Sequence, residues 1–137
     1  MQITKAYLKE LNYKVVGGAI EVHKELGPGL LESIYQAALL QELYTMGLNV
    51  KPQVPVPVYY KGTKVKDDLY IDILVNDTLI IELKSVDNLL PIYDAQLLTY
   101  MKLSEKPKGL LINFNVLKLK EGIKPFVNAI YSNLPIN

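Results

Sequence analysis

The sequence predicts an α/β fold in which a small mixed sheet (α+β) is flanked by helices in the order α-β-β-β-α-β. Apolar residues recur every three to four positions in the first third of the chain, alternate in the middle, and form one continuous run at Leu110–Phe114. These patterns are typical of helices, half-buried strands and a strand buried on both faces. With 137 residues, half of them hydrophobic, the chain can bury one core, so we expect a single domain over 1–137.

Two amphipathic helices are predicted in the first third of the chain. The first ends at Leu26, because Gly27 suits a helix C-cap and Pro28 suits a turn or the start of a new helix. The second runs from Leu30 to near Gly47. Their apolar stripes, spaced as in helices that pack against a sheet, are Val15, Val16, Ala19, Ile20 and His23, then Leu30, Leu31, Ile34, Ala37, Ala38, Leu40 and Leu43.

Three strands are predicted next, at 54–58, Leu69–Val75 and Leu79–Lys84. The first alternates valine with Pro55 and Pro57. Because proline cannot donate a ladder hydrogen bond, we expect this strand at a sheet edge. Lys61-Gly62 forms a turn after it, and residues 76–78 connect the other two strands.

The last third predicts a helix, a buried strand and a short helix. The first helix starts at Pro91 and runs to about Leu103, and the strand is the apolar run at Leu110–Phe114. We expect the final helix from Pro125 to Tyr131.

The composition excludes several classes of protein. Fifteen basic and fourteen acidic residues leave a formal net charge of +1, so bulk positive charge cannot be the main means of holding nucleic acid, although a local basic patch is compatible. Without cysteine, a disulfide scaffold, a thiolate zinc site, an iron–sulfur cluster and a cysteine nucleophile are excluded. Because His23 is the one histidine, a metal site must consist mainly of carboxylates, which favour magnesium or manganese.

The N-terminus does not resemble a signal peptide, because Lys5, Lys9 and Glu10 precede any long apolar run. No stretch approaches the roughly 20 apolar residues that span a bilayer. We therefore expect a cytoplasmic protein that does not engage a membrane.

Three charged side chains interrupt otherwise apolar predicted strands. Asp72 lies within the second strand, and Glu82 and Lys84 share one face of the third. If residues 76–78 form a three-residue loop, Asp72 lies directly opposite Glu82, with Cβ atoms about 5 Å apart. A two-residue turn would instead point the two acids to opposite sides of the sheet. We predict the three-residue loop.

Two interpretations of these charged residues remain open. Carboxylates this close repel each other unless a cation lies between them or one is protonated, so Lys84 could neutralise one acid in an ordinary ion pair. Alternatively, Asp72, Glu82 and the main-chain carbonyl of Leu83 are ligands of a divalent metal, with Lys84 beside an attacking water. Such a metal lowers the pKa of water and stabilises charge on a phosphoryl oxygen.

Two helical pairs add candidate residues. Gln96 and Tyr100 share one face of the helix after the third strand, and Glu32 and Tyr35 share one face at the start of the second helix. Both tyrosines also suit ordinary packing, and an acid such as Glu32 is favoured in a first turn by the helix dipole. Both pairs nevertheless add weight to the metal-site interpretation of Asp72, Glu82 and Lys84.

The segment Gly29-Leu30-Leu31-Glu32-Ser33-Ile34-Tyr35 matches the pattern that names the GxxExxY protein family. The chain resembles that family from about Leu11 to about Ala129. Further matching segments, in the family's order, are Val22–Gly29, Ile71–Val75, Ile81–Lys84, Ala95–Tyr100 and Gly109–Phe114. Because the family is grouped with the PD-(D/E)XK nuclease superfamily, the resemblance implies a restriction-endonuclease-like α-β-β-β-α-β core.

The resemblance also implies roles for the charged residues. Asp72 and Glu82 become magnesium ligands, and Lys84 becomes the catalytic lysine. Glu32 becomes a helix carboxylate that reaches the metal or orders a water there.

Further implied roles concern the substrate. Gln96 and Tyr100 resemble a glutamine–tyrosine helix motif of the RecB-like branch that lines the site and helps to hold substrate, and His23 resembles a histidine that some members carry near the metal. We therefore group Gln96 with Lys84 and Glu32 as catalytic candidates. The substrate-binding candidates are Tyr100, Tyr35 and His23. Tyr70 and Pro125 stand where the family is expected to carry arginine, and this departure could weaken phosphate binding.

Our leading hypothesis is a magnesium- or manganese-dependent nuclease that acts on DNA in preference to RNA. One alternative is a catalytically silent module that binds nucleic acid or a protein partner, and another is a hydrolase of small phosphate esters. Apolar helix faces and ten tyrosines also lead us to consider a homodimer.

Overall fold

The computed structural model describes residues 2–65 and 68–137. The helices are α1 (Lys5–Leu26), α2 (Glu32–Thr45), α3 (Pro91–Ser104) and α4 (Ala129–Ser132). The strands are β1 (Val50–Val56), β2 (Tyr59–Tyr60), β3 (Thr63–Lys64), β4 (Leu69–Val75), β5 (Leu79–Lys84), β6 (Lys108–Asn113) and β7 (Ile123–Val127). Within the described residues, none of these helices combines the length and apolar character needed to cross a membrane.

The main sheet has five strands in the order β1-β4-β5-β6-β7, and β2 and β3 form a separate hairpin. Strands β5 and β6 are parallel and are joined by α3, whereas the other neighbouring strands are antiparallel. This mixed sheet confirms the predicted fold class. It also confirms that the proline-containing strand β1 lies at an edge.

The sheet buries both of its faces. Apolar side chains of α1 and α2 pack on one face around Ile73 and Ile81, and α3 packs on the other face around Leu74 and Ile80. Strand alternation explains why neighbouring residues of β5 enter different cores. The four residues from Leu110 to Asn113 in β6 are buried, which confirms that this apolar run is an interior strand.

The helix boundaries largely follow the predicted signals. Helix α1 ends at Leu26, and Gly27 adopts a φ of 70° that glycine tolerates best. Helix α2 begins later than expected, at Glu32, and its buried positions are Tyr35, Leu39 and Leu43. The predicted stripe of α2 was therefore wrong in part, since Leu31 precedes the helix and is 70% exposed.

The predicted helix from Pro125 to Tyr131 is wrong. Pro125 lies in β7, which pairs with β6 alone, and α4 begins only at Ala129. An edge strand accepts proline because one side of its backbone has no ladder partner to lose. This segment pairs with an edge of β6 that would otherwise be free. That edge exists only in the assembled sheet, so the periodicity of the local sequence does not predict the pairing.

We predict opposite effects for two glycine-to-alanine substitutions. A Cβ at Gly122 would fall inside contact distance of the main-chain carbonyl oxygen of Asn113 on β6, so Gly122→Ala should lower the free energy of unfolding by about 1–3 kcal/mol. Exposed Gly17, inside α1, has open space around its Cβ position, so Gly17→Ala should raise it by about 0.5–1 kcal/mol. Urea denaturation measures both, and equal effects would contradict the packing described here.

Candidate active site

The candidate site lies where strands β4 and β5 stop pairing. Val75 pairs with Leu79 across residues 76–78, and the ladder ends at Ile73 and Ile81. This pairing confirms the predicted three-residue loop. The same register places Asp72 opposite Glu82, one step beyond the last ladder pair.

We call the point where β4 and β5 stop pairing, marked by Asp72 and Glu82, the fork. There the two carboxylates accept hydrogen bonds from backbone N–H groups. The Leu83 N–H donates to Asp72 Oδ2 at 2.8 Å, and the Asp72 N–H donates to Glu82 Oε1 at 3.2 Å. Each acid therefore accepts from the backbone of the opposite strand. The predicted meeting of the two acids is confirmed, and their side chains are held by the sheet itself.

An irregularity in β4 accompanies the fork. Ile73 packs with the core under α1 and α2, whereas Ile71 packs with the core under α3. Residues two apart in a regular strand share one face, so the alternation breaks at Asp72. On β1, Gln53 lies at the same level of the sheet and has a φ of 47°. We attribute the turn of the Asp72 carboxylate toward β5 to this local break.

The pKa of Glu82 is raised from its usual value near 4.5 to about 8, by burial first and by the neighbouring charge of Asp72 second. The ammonium group of Lys84 opposes this shift but is a smaller influence. Burial also raises the pKa of Tyr100, with added contributions from the charges of Glu82 and Asp72. Tyr100 on α3 therefore lies within electrostatic range of both acids.

Lys84 does not neutralise either acid by direct contact. Within residues 2–65 and 68–137, the ion pairs are Lys64–Asp68, Lys106–Asp77 and Lys124–Asp94. Lys84 Nζ instead lies 4.4 Å from the centroid of the Tyr93 ring, a distance typical of a cation–π contact. An ordinary strand-borne ion pair is therefore not the arrangement that the structure adopts.

Gln96 and Tyr100 lie beside the fork on α3. Together with Leu69 at the start of β4 they line a groove of about 280 Å³. Gln96 is exposed and Tyr100 is half-buried. Tyr100 is thus both part of this groove and within electrostatic range of the two acids.

Glu32 does not join the two acids. It is exposed in the first turn of α2, and the described part of the chain contains no cluster of three or more histidine, aspartate or glutamate side chains that could hold a metal. The start of α2 is nevertheless anchored near the fork, because Ser85 Oγ donates to the main-chain oxygen of Leu30 at 2.6 Å.

Tyr35 and His23, predicted to bind substrate, are both buried and contact main-chain atoms. Tyr35 is fully buried and stacked on Phe114, with ring centroids 4.4 Å apart; its hydroxyl donates to the Gly27 oxygen and accepts from the Leu30 N–H at 3.1 Å. His23 Nε2 lies 2.7 Å from the main-chain oxygen of Val116 and is also buried. Tyr35 thereby holds the loop between α1 and α2 in place, and His23 holds α1 to the segment that follows β6.

Asn113, Tyr93 and Ser85 were missed as supporting residues. Asn113 is buried at the end of β6, where it pairs with Lys84 across the parallel ladder, and its amide makes two hydrogen bonds to the backbone of Val86. An amide in an otherwise apolar strand was an available signal. The contact between Tyr93 and Lys84 had none, because it depends on how α3 packs.

The donor set fits a hard divalent cation. Mg²⁺ usually keeps several waters and is held by one or two carboxylates, and Asp72 and Glu82 supply two that already face each other. The pKa of Glu82 is raised by burial first and by the neighbouring charge of Asp72 second. A main-chain carbonyl such as that of Leu83 is the same hard type of ligand.

A cavity of about 380 Å³ lies at the other end of the sheet, lined by residues that include Lys5, Lys108 and Tyr131. Lys108 begins β6 opposite Leu79, whereas Lys84 pairs with the last residue of β6. The cavity is therefore remote from the two acids.

Comparison with known proteins identifies a family. A family model described as the PD-(D/E)XK nuclease superfamily matches residues 9–126. The solved structure described as "Crystal structure of SSO0001" matches with a TM-score of 0.51 and 20% sequence identity; the match covers 94% of this chain and 63% of that chain, so this chain spans less than two thirds of it. At that identity the likeness concerns the fold alone. None of the curated proteins matches the chain.

We predict that the metal-free protein loses stability as the pH rises. The folded state holds the proton of Glu82 up to about pH 8, whereas an unfolded glutamate releases it near pH 4.5. The free energy of unfolding should therefore fall between these pH values, by on the order of 3–5 kcal/mol, and level off above pH 8.

Urea denaturation in EDTA at pH 5, 6.5 and 8 measures this loss. Glu82→Gln should flatten the pH dependence, while Glu25→Gln, at an exposed glutamate of α1, should leave it unchanged. Parallel pH profiles for wild type and Glu82→Gln would show that Glu82 is not the titrating group.

Proposed function

The chain belongs to the PD-(D/E)XK nuclease superfamily, and from this premise we propose that it is a magnesium- or manganese-dependent nuclease that hydrolyses phosphodiester bonds, preferentially in DNA. We place the catalytic site within a single domain over 1–137. The observation that carries the proposal is the meeting of the Asp72 and Glu82 carboxylates at the fork, with Lys84 on the same strand and face as Glu82.

Asp72 and Glu82 would hold the metal, with the main-chain carbonyl of Leu83 as a further ligand. A bound Mg²⁺ or Mn²⁺ would lower the pKa of water and stabilise negative charge on a phosphoryl oxygen. The chain supplies the geometry, because each carboxylate is fixed by a backbone N–H of the opposite strand. This preorganisation lowers the cost of bringing two repelling acids together.

Lys84 would donate from its ammonium group to a phosphate oxygen or orient the attacking water. The ammonium group of Lys84 contacts the face of the Tyr93 ring and does not form an ion pair with either acid. A cation held in this way remains free to meet a phosphate.

Glu32, Gln96 and Tyr100 would act around this centre. Gln96 and Tyr100 line the groove beside α3 and would hold the substrate there. Glu32 would order water at the rim of the site, since the bond between Ser85 and Leu30 anchors the start of its helix.

A second candidate function is a catalytically silent module that binds nucleic acid or a protein partner. Within the described residues no third acid completes a ligand cluster, and the net charge of +1 gives little electrostatic attraction for a polyanion. A hydrolase of small phosphate esters would need the same fork, and a substrate panel separates it from a nuclease.

Cleavage assays test the proposed activity. Purified protein with Mg²⁺ or Mn²⁺ should cleave single- or double-stranded DNA, and Asp72→Asn or Lys84→Ala should each reduce the rate by at least about 100-fold. Lys102→Ala, which removes an exposed lysine of α3, is the control and should retain activity. Cleavage that persists in both site variants would refute the assignment.

Metal uptake is tested separately from activity. Because a ligand that binds only the folded state stabilises it, millimolar Mg²⁺ or Mn²⁺ should raise the Tm of the wild-type protein. The same addition should not raise the Tm of Asp72→Asn or Glu82→Gln. An unchanged Tm in the wild-type protein would favour the silent module.

A further inference from the structure

A short hairpin, defined by β2, β3 and the turn Lys61-Gly62, projects from the site end of the sheet. It leaves the sheet where Val56 at the end of β1 pairs with Leu69 at the start of β4. Asp72 lies three residues further along β4, about 10 Å at the usual rise of a strand. The hairpin and the fork therefore belong to the same end of the molecule.

The hairpin and its root expose three tyrosines. Tyr59, Tyr60 and Tyr70 are 60%, 64% and 53% exposed. Tyr59 and Tyr60 are consecutive in β2, so their rings project from opposite faces of the hairpin. These rings are broad, rigid aromatic surfaces that the fold leaves open to solvent.

Lysines accompany these rings. Lys61 Nζ lies 5.4 Å from the centroid of the Tyr60 ring, and Lys64 pairs with Tyr59 across the hairpin while contacting Asp68 at 3.1 Å. An aromatic face beside an ammonium group offers a nucleotide two contacts, one for the base and one for the phosphate.

Electrostatics alone would hold a nucleic acid weakly. The net charge is +1, and all fifteen basic residues are lysine, so the chain has no arginine to clamp a phosphate through two hydrogen bonds. Contacts that do not depend on charge would then add to the affinity. Stacking on aromatic rings is such a contact, and it requires unstacked bases, which a single strand presents and a duplex hides.

We propose that the hairpin is a base-stacking platform that selects single-stranded nucleic acid and delivers it to the fork. Tyr59 and Tyr60 stack bases, Lys61 meets the adjoining phosphate, and the strand continues past Leu69 into the groove lined by Gln96 and Tyr100. The substrate class assigned here rests on the proposed nuclease function, but the stacking itself does not require cleavage.

Binding in EDTA, where no divalent metal supports hydrolysis, tests the platform. Wild-type protein should bind a fluorescent mixed-sequence single strand of about 12 nucleotides at least tenfold more tightly than the matching duplex in fluorescence anisotropy. Tyr59→Ala and Tyr60→Ala should each weaken single-strand binding by about 5- to 100-fold, the effect of losing one stacked base.

Three controls separate stacking from other roles. Tyr59→Phe and Tyr60→Phe keep the aromatic face and should bind as wild type does, which also covers the case of an alanine variant that fails to fold. Tyr44→Ala removes a tyrosine that is 74% exposed near the end of α2 and should have no effect. Affinity should fall only shallowly with salt, because few phosphates are neutralised.

Several results would overturn the platform. One is equal affinity for duplex and single strand, and another is wild-type affinity in both alanine variants. A third is no binding of any oligonucleotide, a result that would assign the hairpin to a protein partner. Loss of cleavage is a separate result. A protein that binds single strands through the tyrosines but never cleaves them would refute the nuclease proposal and leave the platform standing.

Discussion

The site depends on an exchange of hydrogen bonds at the point where β4 and β5 part. The ladder between them ends at Ile73 and Ile81, and beyond it the carboxylates of Asp72 and Glu82 accept from the backbone of the opposite strand. A buried backbone N–H left without a partner costs about 1–3 kcal/mol, so the acids are part of the sheet. The same contacts hold two carboxylate groups close together.

The supporting structure explains why this arrangement persists. Asn113 bonds to the backbone of Val86 beyond β5, and Ser85 bonds to Leu30 ahead of α2. Tyr35, buried against Phe114, closes the turn between α1 and α2. Two residues that were expected to touch substrate, Tyr35 and His23, thus stabilise the scaffold. Tyr35, the last residue of the GxxExxY segment, thereby helps to fix where α2 begins.

The near-neutral charge of the chain shapes how it can engage a nucleic acid. The net charge of +1, with lysine as the sole strong base, gives this superfamily member little bulk electrostatic attraction for a polyanion. Tyr70 stands two residues before Asp72, where the resemblance led us to expect arginine, and it is one of three exposed tyrosines at this end of the sheet. An exposed aromatic ring therefore stands where the resemblance implies a positive charge.

Much of this architecture was determined locally by the sequence. The helical and strand periods, the edge position of β1 and the three-residue loop at 76–78 each follow from neighbouring residues, and the loop length alone brings Asp72 opposite Glu82. Tertiary structure decided the rest: the break in β4, the burial that raises the pKa of Glu82, the placement of Lys84 over Tyr93, and the strand at Pro125. These features depend on contacts between segments that lie far apart in the chain. The spacing of residues within any one segment therefore does not predict them.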